Sequence, residues 1–358
     1  MRRYLYMNET IVLTPRQKEI INIVAKGGNI TREDIAAVLS NTLSASKATL
    51  ARDIKTLVNK GLIKATGSGP SVSYLAVTKH PLLSYIDIEH YFSLEPDRRL
   101  SVNKKFNDSI FKLLPGLINE SEQEELKADF RSFDQVIKDL NPTIFKRELE
   151  RYVIELSWKS SKIEGNTYTL LETESLIKQG KEARGRSRQE SVMILNHKAA
   201  FKLILENRKD FIKLTTRDLF ELHSVLTANL NISSGIRKQA VGITGTTYGP
   251  LTHDWELKSV LEKMVSLVNK TRHPLEKALL VSVLLAYIQP FADGNKRSAR
   301  MIANAILLAH DYFPLSYRSV DAYEYKQALI IFYEIGNVYH IKRIFLDQYR
   351  FALQTYFK

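Results

Sequence analysis

Apolar residues recur at helical spacing along most of the chain, and the breaks in that spacing mark its joints. Thr14-Pro15 offers an N-cap and a first-turn proline; Ile20, Ile21, Ile23 and Val24 then form an apolar face that Gly27-Gly28 ends. Thr31 with Glu33-Asp34 predicts a second helix carrying Ile35, Ala36, Val38 and Leu39 inward. Leu50, Ile54, Leu57 and Val58 predict a third, from about Ser46 to Lys60. Gly61-Leu62-Ile63 leaves it as an extended segment, Gly67-Ser68-Gly69-Pro70 turns, and residues 72–77 return as a strand. His80-Pro81 breaks that strand, and short helical patterns with polar turns over 81–140 read as a linker or spacer. Asn141-Pro142 opens a long helix through Phe145, Leu149, Tyr152, Leu156 and Trp158. Thr169 and Glu172 start another in capping-box style. Residues 237–251 alternate β-formers with glycines and predict a hairpin, whereas 278–287 are apolar nearly all round and predict a buried helix. Ala299, Ile302, Ala303, Ile306 and Leu307 give the helix after it, and amphipathic helices fill 323–357.

The expected fold is mainly α, with a small α+β domain over 1–80 ahead of a larger helical domain over 141–358. A length of 358 residues suits that division. The chain has no cysteine, which excludes disulfides and thiolate metal sites, and its eight histidines lack metal-ligand spacing. No apolar run reaches membrane length and the start lacks a signal-peptide core, so the cytoplasm is the expected compartment, with no membrane partner. The formal charge of +13 favours an acidic partner. Residues 1–78 hold eleven Lys and Arg against five acids, which concentrates the excess there and puts DNA first.

The chemistry gathers at 288–300, between the two strongest helical patterns. Lys296, Arg297 and Arg300 fall in the first turns of a helix, where the macrodipole is already positive and free N–H groups add to it. Asp293 cannot balance three cations, so such a start suits an anion, most naturally a polyphosphate. A glycine turn before a solvated basic helix would carry the same residues.

Residues 289–300 resemble the signature of the Fic family, His-x-Phe-x-Asp/Glu-Gly-Asn-x-Arg-x-x-Arg. Phe291, Asp293, Gly294, Asn295, Arg297 and Arg300 fall on its positions, and Gln289 stands where the family has histidine. The resemblance implies an all-helical Fic domain that transfers AMP from ATP to a protein hydroxyl, on a target or on itself. It implies Mg²⁺ held through Asp293, phosphates cradled by the N–H groups of Gly294, Asn295 and Lys296, and β- and γ-phosphates held by Arg297 and Arg300. The family's histidine takes the proton of the attacking hydroxyl. Glutamine has no titratable site near neutral pH, so impaired transfer is expected, and a non-catalytic nucleotide-binding regulator is the alternative.

Ser160 and Glu164-Gly165, at the end of the helix expected over about 143–165, resemble the family's inhibitory motif, Ser/Thr-x-x-x-Glu-Gly/Asn. The resemblance implies that Glu164 pairs with Arg300 and keeps it from a γ-phosphate. A plain Gly-capped helix end would read the same way. The hairpin at 237–251, with Ile243, Thr244, Gly245 and Tyr248, resembles the family's flap, which holds a target segment by strand addition. Residues 1–80 resemble a winged helix-turn-helix, with Ser46, Lys47, Thr49, Arg52 and Lys55 of the third helix placed for DNA. The same fold also serves protein contacts, and a homodimer would suit it.

Overall fold

Side-chain caps decide where most of the helices begin. The structure, a computed structural model, describes residues 13–27, 29–40, 43–67, 69, 72–76, 80–99, 102–128 and 130–358. Thr14 accepts from the N–H of Gln17 at 3.2 Å, and Pro15 opens α1 (Pro15–Gly27). Thr31 and Asp34 form a capping box that starts α2 (Arg32–Leu39), and Ser46 accepts from the N–H of Thr49 to start α3 (Lys47–Asn59). β1 (Ile30–Thr31), β2 (Ile63–Thr66) and β3 (Ser73–Ala76) form an antiparallel sheet in the order β1-β3-β2, with Ile30 opposite Tyr74 and Ile63 opposite Ala76. β1 adds a third strand to the two expected; at two residues it is too short for alternation to register in sequence. Gly28, Ser68, Pro70 and Val77 of the expected helix end, turn and strand lie outside the described residues.

Ile20, Val24, Ile35, Leu50, Ile54, Leu57 and Ile63 form the core of this unit. Asp53 of α3 is buried as well, accepting from Gln17 Nε2 at 2.9 Å and Arg16 Nε at 2.5 Å. Those bonds tie α3 to α1, while Ser46, Lys47, Arg52 and Lys55 stay exposed and Thr49 is half-buried. α4 (Ile88–Phe92) comes last, and the chain divides into two compact units between Ser93 and Leu94.

The second unit begins with short helices, α5 (Ile110–Leu113), α6 (Glu120–Ala128) and α7 (Phe133–Asp139). This stretch, spacer-like in sequence, is packed onto the helices that follow. Phe106 stacks on Tyr287 at 4.9 Å, Phe133 meets Phe313 and Phe357 edge-on at 5.5 and 5.3 Å, and Glu276 accepts from the N–H groups of Gly116 and Leu117. Asn141 and Pro142 then start α8 (Pro142–Ile163). Capping boxes start α9 (Leu170–Gln179), α10 (Arg188–Glu206) and α11 (Thr216–Thr227). α12 (Asp254–Lys270) precedes α13 (Pro274–Ile288), which is buried from Leu275 to Ile288, as an all-round apolar sequence requires. α14 (Asn295–Ala309) runs back along α13, and α15 (Ala322–Ile335) and α16 (Tyr339–Thr355) complete the layer around that pair.

One expected element is corrected. Residues 237–251 form no hairpin; among the described residues their single bridge is parallel, between Gly249 and Lys105. Side chains satisfy the loop's backbone instead. Arg237 donates to the carbonyls of Gln239 and Leu251, and Arg99 donates to that of Gly245. Thr246 donates to the buried Glu334, which Arg99 grips at 2.9 and 3.0 Å.

Candidate nucleotide site

The α13–α14 connection is built around two left-handed residues. Gln289 caps α13 with φ 51° and ψ 56°, and Gly294 precedes α14 with φ 81°. At Gly294 a β-carbon would be strained and would stand 3.1 Å from Thr227 Cγ2, so the position needs glycine. Asn295 folds back to close the loop: its Oδ1 accepts from the N–H of Phe291, and its Nδ2 donates to Phe291 O and Gln289 Oε1, all at 2.9 Å. Gln289 Nε2 donates to Ala286 O at 2.6 Å. Both ends of the glutamine amide are therefore held, one by the last turn of α13 and the other by Asn295. Phe291 is fully buried, stacked 3.7 Å from the ring of His223, whose Nε2–H donates to Asp293 O at 2.9 Å. Burial lowers the His223 pKa, so the neutral ring makes that bond.

The helix start carries the three cations that the sequence placed there, in different surroundings. Arg300 is fully buried, Arg297 is 2% exposed and the Lys296 side chain is 29% exposed. Arg297 meets Asp293 at 3.2 Å, while its Nη1 is buried without a hydrogen-bond partner. The Asp293 side chain is 69% exposed and so is open to a solvated ligand.

α8 delivers Glu164 to the same place. Gly165, with φ 100°, turns the chain away just after the helix end, and the Glu164 carboxylate lies 2.9 Å from Arg300 Nη1 and 3.1 Å from Lys296 Nζ. The Arg300 contact is an ion pair without hydrogen-bond alignment. Burial alone would raise the Glu164 pKa, but Arg300 and Lys296 outweigh it and hold the carboxyl at about 2. Ser160, one turn earlier, accepts from Arg300 Nε at 3.0 Å through its hydroxyl and from Nη2 at 2.9 Å through its carbonyl. The rings of Tyr325 and Tyr317 lie 5.6 and 6.0 Å from the same guanidinium.

The structure thus brings Ser160, Glu164, Gln289, Asp293, Gly294, Asn295, Lys296, Arg297 and Arg300 into one site. Thr244 and Gly245 are exposed on the 237–251 loop and Ile243 is half-buried there. Tyr248 is turned inward, stacked on Tyr287 with its hydroxyl donating to Tyr287 O, so it anchors the loop and faces no target. Sequence reasoning missed one role and two residues. Lys296 is a second partner of Glu164, for which the only signal was one cation too many at a helix start. Arg237, 1% exposed, donates to Gln289 O at 2.7 Å and to two carbonyls of its own loop, joining the two loops through one guanidinium. His197 is fully buried behind Ser160 and carried no signal in sequence.

A single exposed carboxylate beside the cations of the α14 start fits Mg²⁺, which takes one or two carboxylates and completes its shell with water and substrate phosphate. Asp293 would hold it, and the ion would neutralise phosphate charge. No cluster of three metal-ligating side chains occurs among the described residues.

The α13–α14 connection lies within a match to a known family. Residues 213–307 match the Fic/DOC family and residues 13–93 match the penicillinase repressor family. The chain is 28% identical over 230 residues to the protein adenylyltransferase Fic of Aedes aegypti, covering 62% of this chain and 44% of that one. With the protein of the same name from Culex quinquefasciatus it shares 25% over 292 residues, covering 78% and 56%. The chain thus spans about half the length of these curated relatives. Among solved structures, Fic-1 from C. elegans superposes with a TM-score of 0.57 at 20% identity, covering 68% of this chain and 79% of that one. A Fic domain containing signaling protein from Bacteroides thetaiotaomicron gives 0.54 at 20% identity, covering 64% and 93%. Likeness at that identity establishes the fold. The chain carries a Fic domain behind an N-terminal domain of the winged-helix, penicillinase-repressor type.

Proposed function

We propose that this site binds ATP and transfers AMP to a protein hydroxyl, that Glu164 holds the reaction off, and that Gln289 makes it slow. One observation carries the reading: a carboxylate sits between Arg300 and Lys296 at the start of α14, where a phosphate would otherwise sit. The relatives named protein adenylyltransferases support the choice of group transferred. In this reaction the hydroxyl oxygen bonds to the α-phosphorus, the bond to the β-phosphate bridge breaks, and diphosphate leaves with a proton to be removed from the hydroxyl. Arg297 and Arg300 would hold the β- and γ-phosphates, and the first N–H groups of α14 would cradle them. Gln289 has no basic site to take the proton, and its amide is committed to Ala286 and Asn295. Since a general base contributes about 10²–10⁴-fold, binding should persist while transfer is slow.

The target segment would lie along the exposed edge at Thr244 and Gly245, and α3 would carry Ser46, Lys47, Thr49, Arg52 and Lys55 to DNA. The clamped glutamine also favours a second reading, a non-catalytic regulator in which ATP displaces Glu164 and changes DNA binding or dimerisation.

The test compares wild type, Gln289→His and Gln289→His/Glu164→Gly with α-labelled ATP and Mg²⁺, reading label on protein and ATP affinity in parallel. Strong labelling by the double variant, with binding but faint labelling by wild type, is the expected result. A double variant that binds ATP without labelling anything would move the assignment to the regulator. Absence of ATP binding from every variant would sink both.

A further inference from the structure

Behind the Glu164–Arg300 pair lies a chain of polar groups whose hydrogens can be placed by logic alone. Arg300 Nε–H approaches Ser160 Oγ at 3.0 Å, Ser160 Oγ approaches His197 Nε2 at 2.8 Å, and His197 Nδ1 approaches Met193 O at 2.8 Å. Ser161 Oγ is a longer neighbour of Nδ1 at 3.3 Å. The two ends are fixed, because a guanidinium N–H only donates and a carbonyl only accepts. Buried beside Arg297 and Arg300 the imidazole is neutral, so the hydroxyl and the ring each do both, and only one arrangement satisfies every step. His197 is neutral with its proton on Nδ1, donating to Met193. Its bare Nε2 accepts from the Ser160 hydroxyl, and the hydroxyl's lone pair accepts from Arg300. Ser160, His197 and Arg300 are all fully buried, so water cannot repair a wrong orientation.

We infer that His197 is a positioning residue: by accepting from Ser160 it aims that oxygen at Arg300 and fastens the end of α8, with Glu164, onto α14. This rests on the reading that Glu164 and nucleotide phosphate compete for Arg300. The carrier is α10, packed against both α8 and α14, so one imidazole links three helices at the place where competition is decided. Replacing it with an apolar side chain leaves the Ser160 hydroxyl without its acceptor. Losing one bond of such a buried relay shifts the balance between the Glu164-paired and released states by roughly five- to tenfold.

The experiment is a double-mutant cycle on ATP affinity, read by calorimetry with Mg²⁺. His197→Leu, His197→Gln and Ser160→Ala are each made in wild type and in Glu164→Gly. His197→Leu and Ser160→Ala should tighten ATP binding about five- to tenfold where Glu164 is present and not where it is absent. His197→Gln, whose amide oxygen can reach the Nε2 position, should return the affinity toward wild type. Nitrogen NMR of the wild-type chain should find His197 neutral with its proton on Nδ1. Equal changes in both backgrounds, or a proton on Nε2, would overturn the proposal. If Glu164→Gly binds no ATP, the nucleotide reading has failed, and the tautomer alone decides the orientation of the relay. If His197→Leu does not fold, Ser160→Ala and the tautomer carry the decision.

Discussion

The helices α3 and α14 both carry clustered basic residues, and they hold them in opposite ways. At α3, Lys47, Arg52 and Lys55 are exposed and, among the described residues, form no ion pair. At α14, Arg297 and Arg300 are buried and Lys296 and Arg300 share the carboxylate of Glu164. Exposed cations on flexible stems meet a polyanion as a screened field, giving affinity that tracks ionic strength. Buried cations on fixed stems meet one anion of one shape, and they need a substitute when it is absent, since an unpaired buried charge is costly. The same residue types are thus suited to a surface in one unit and to a single group in the other.

The largest way to break the contrast is to remove a buried cation. Arg300→Leu leaves Glu164 with Lys296 alone and strips Ser160 of its donor, so stability should fall by about 3–5 kcal/mol in denaturant unfolding. Arg52→Leu should stay within about 0.5 kcal/mol. Equal costs would mean the Arg300 pair is relaxed in solution. Acid should separate the two regions next. Burial, reinforced by Arg297 and Arg300, brings the His197 pKa down from 6.5 to about 3. The stability tied to neutral His197 is therefore whole above pH 6.5 and lost as pH falls toward 3, at about 1.4 kcal/mol per unit. Glu164, lowered from 4.5 to about 2, contributes stability that is whole above pH 4.5 and lost as pH falls toward 2. Between pH 7 and 5, His197→Gln should flatten the stability profile by about 2 kcal/mol, and an unchanged slope would contradict the burial of a neutral ring.

The caps sharpen the comparison further. Ser46→Ala removes the hydrogen bond that starts α3 and should cost about 1 kcal/mol. Gly294→Ala should cost about 1–2 kcal/mol through its left-handed backbone and the Thr227 contact. Thermal melts of both variants check this, and a neutral Gly294→Ala would mean that the loop rearranges. Salt gives the smallest effect. If Lys55 meets a phosphate, Lys55→Ala should lower the salt slope of duplex DNA binding by about 0.9 and leave ATP affinity untouched. An unaltered slope would remove Lys55 from the interface.

Much of this was legible in sequence because it rests on local chemistry. Thr31, Thr169 and Asn141 announce helices by what a short polar side chain does for free N–H groups. Glu164 at a helix end and Arg300 at a helix start are each misplaced against the dipole, and the structure pairs them. What escaped depends on distant partners. Glycines and β-formers over 237–251 suit a hairpin or a loop equally, and the choice fell to Arg237 within the stretch and to Arg99 and Glu334, far away in sequence. His197 reads like any histidine on an amphipathic helix, and only the folded packing of α8, α10 and α14 gives it Ser160. Lys296 counted as an excess cation until α8 brought it a carboxylate.

If Glu164 holds the site as proposed, it is, being part of the chain, an inhibitor whose concentration never changes. Nucleotide would meet a site that is free only for the fraction of time that α8 releases it, and its apparent dissociation constant is the intrinsic one divided by that fraction. Such a site would act as a threshold detector, ignoring nucleotide below a level set by two cations and a tether. Anything that strains the last turn of α8 would lower that level without touching the nucleotide at all.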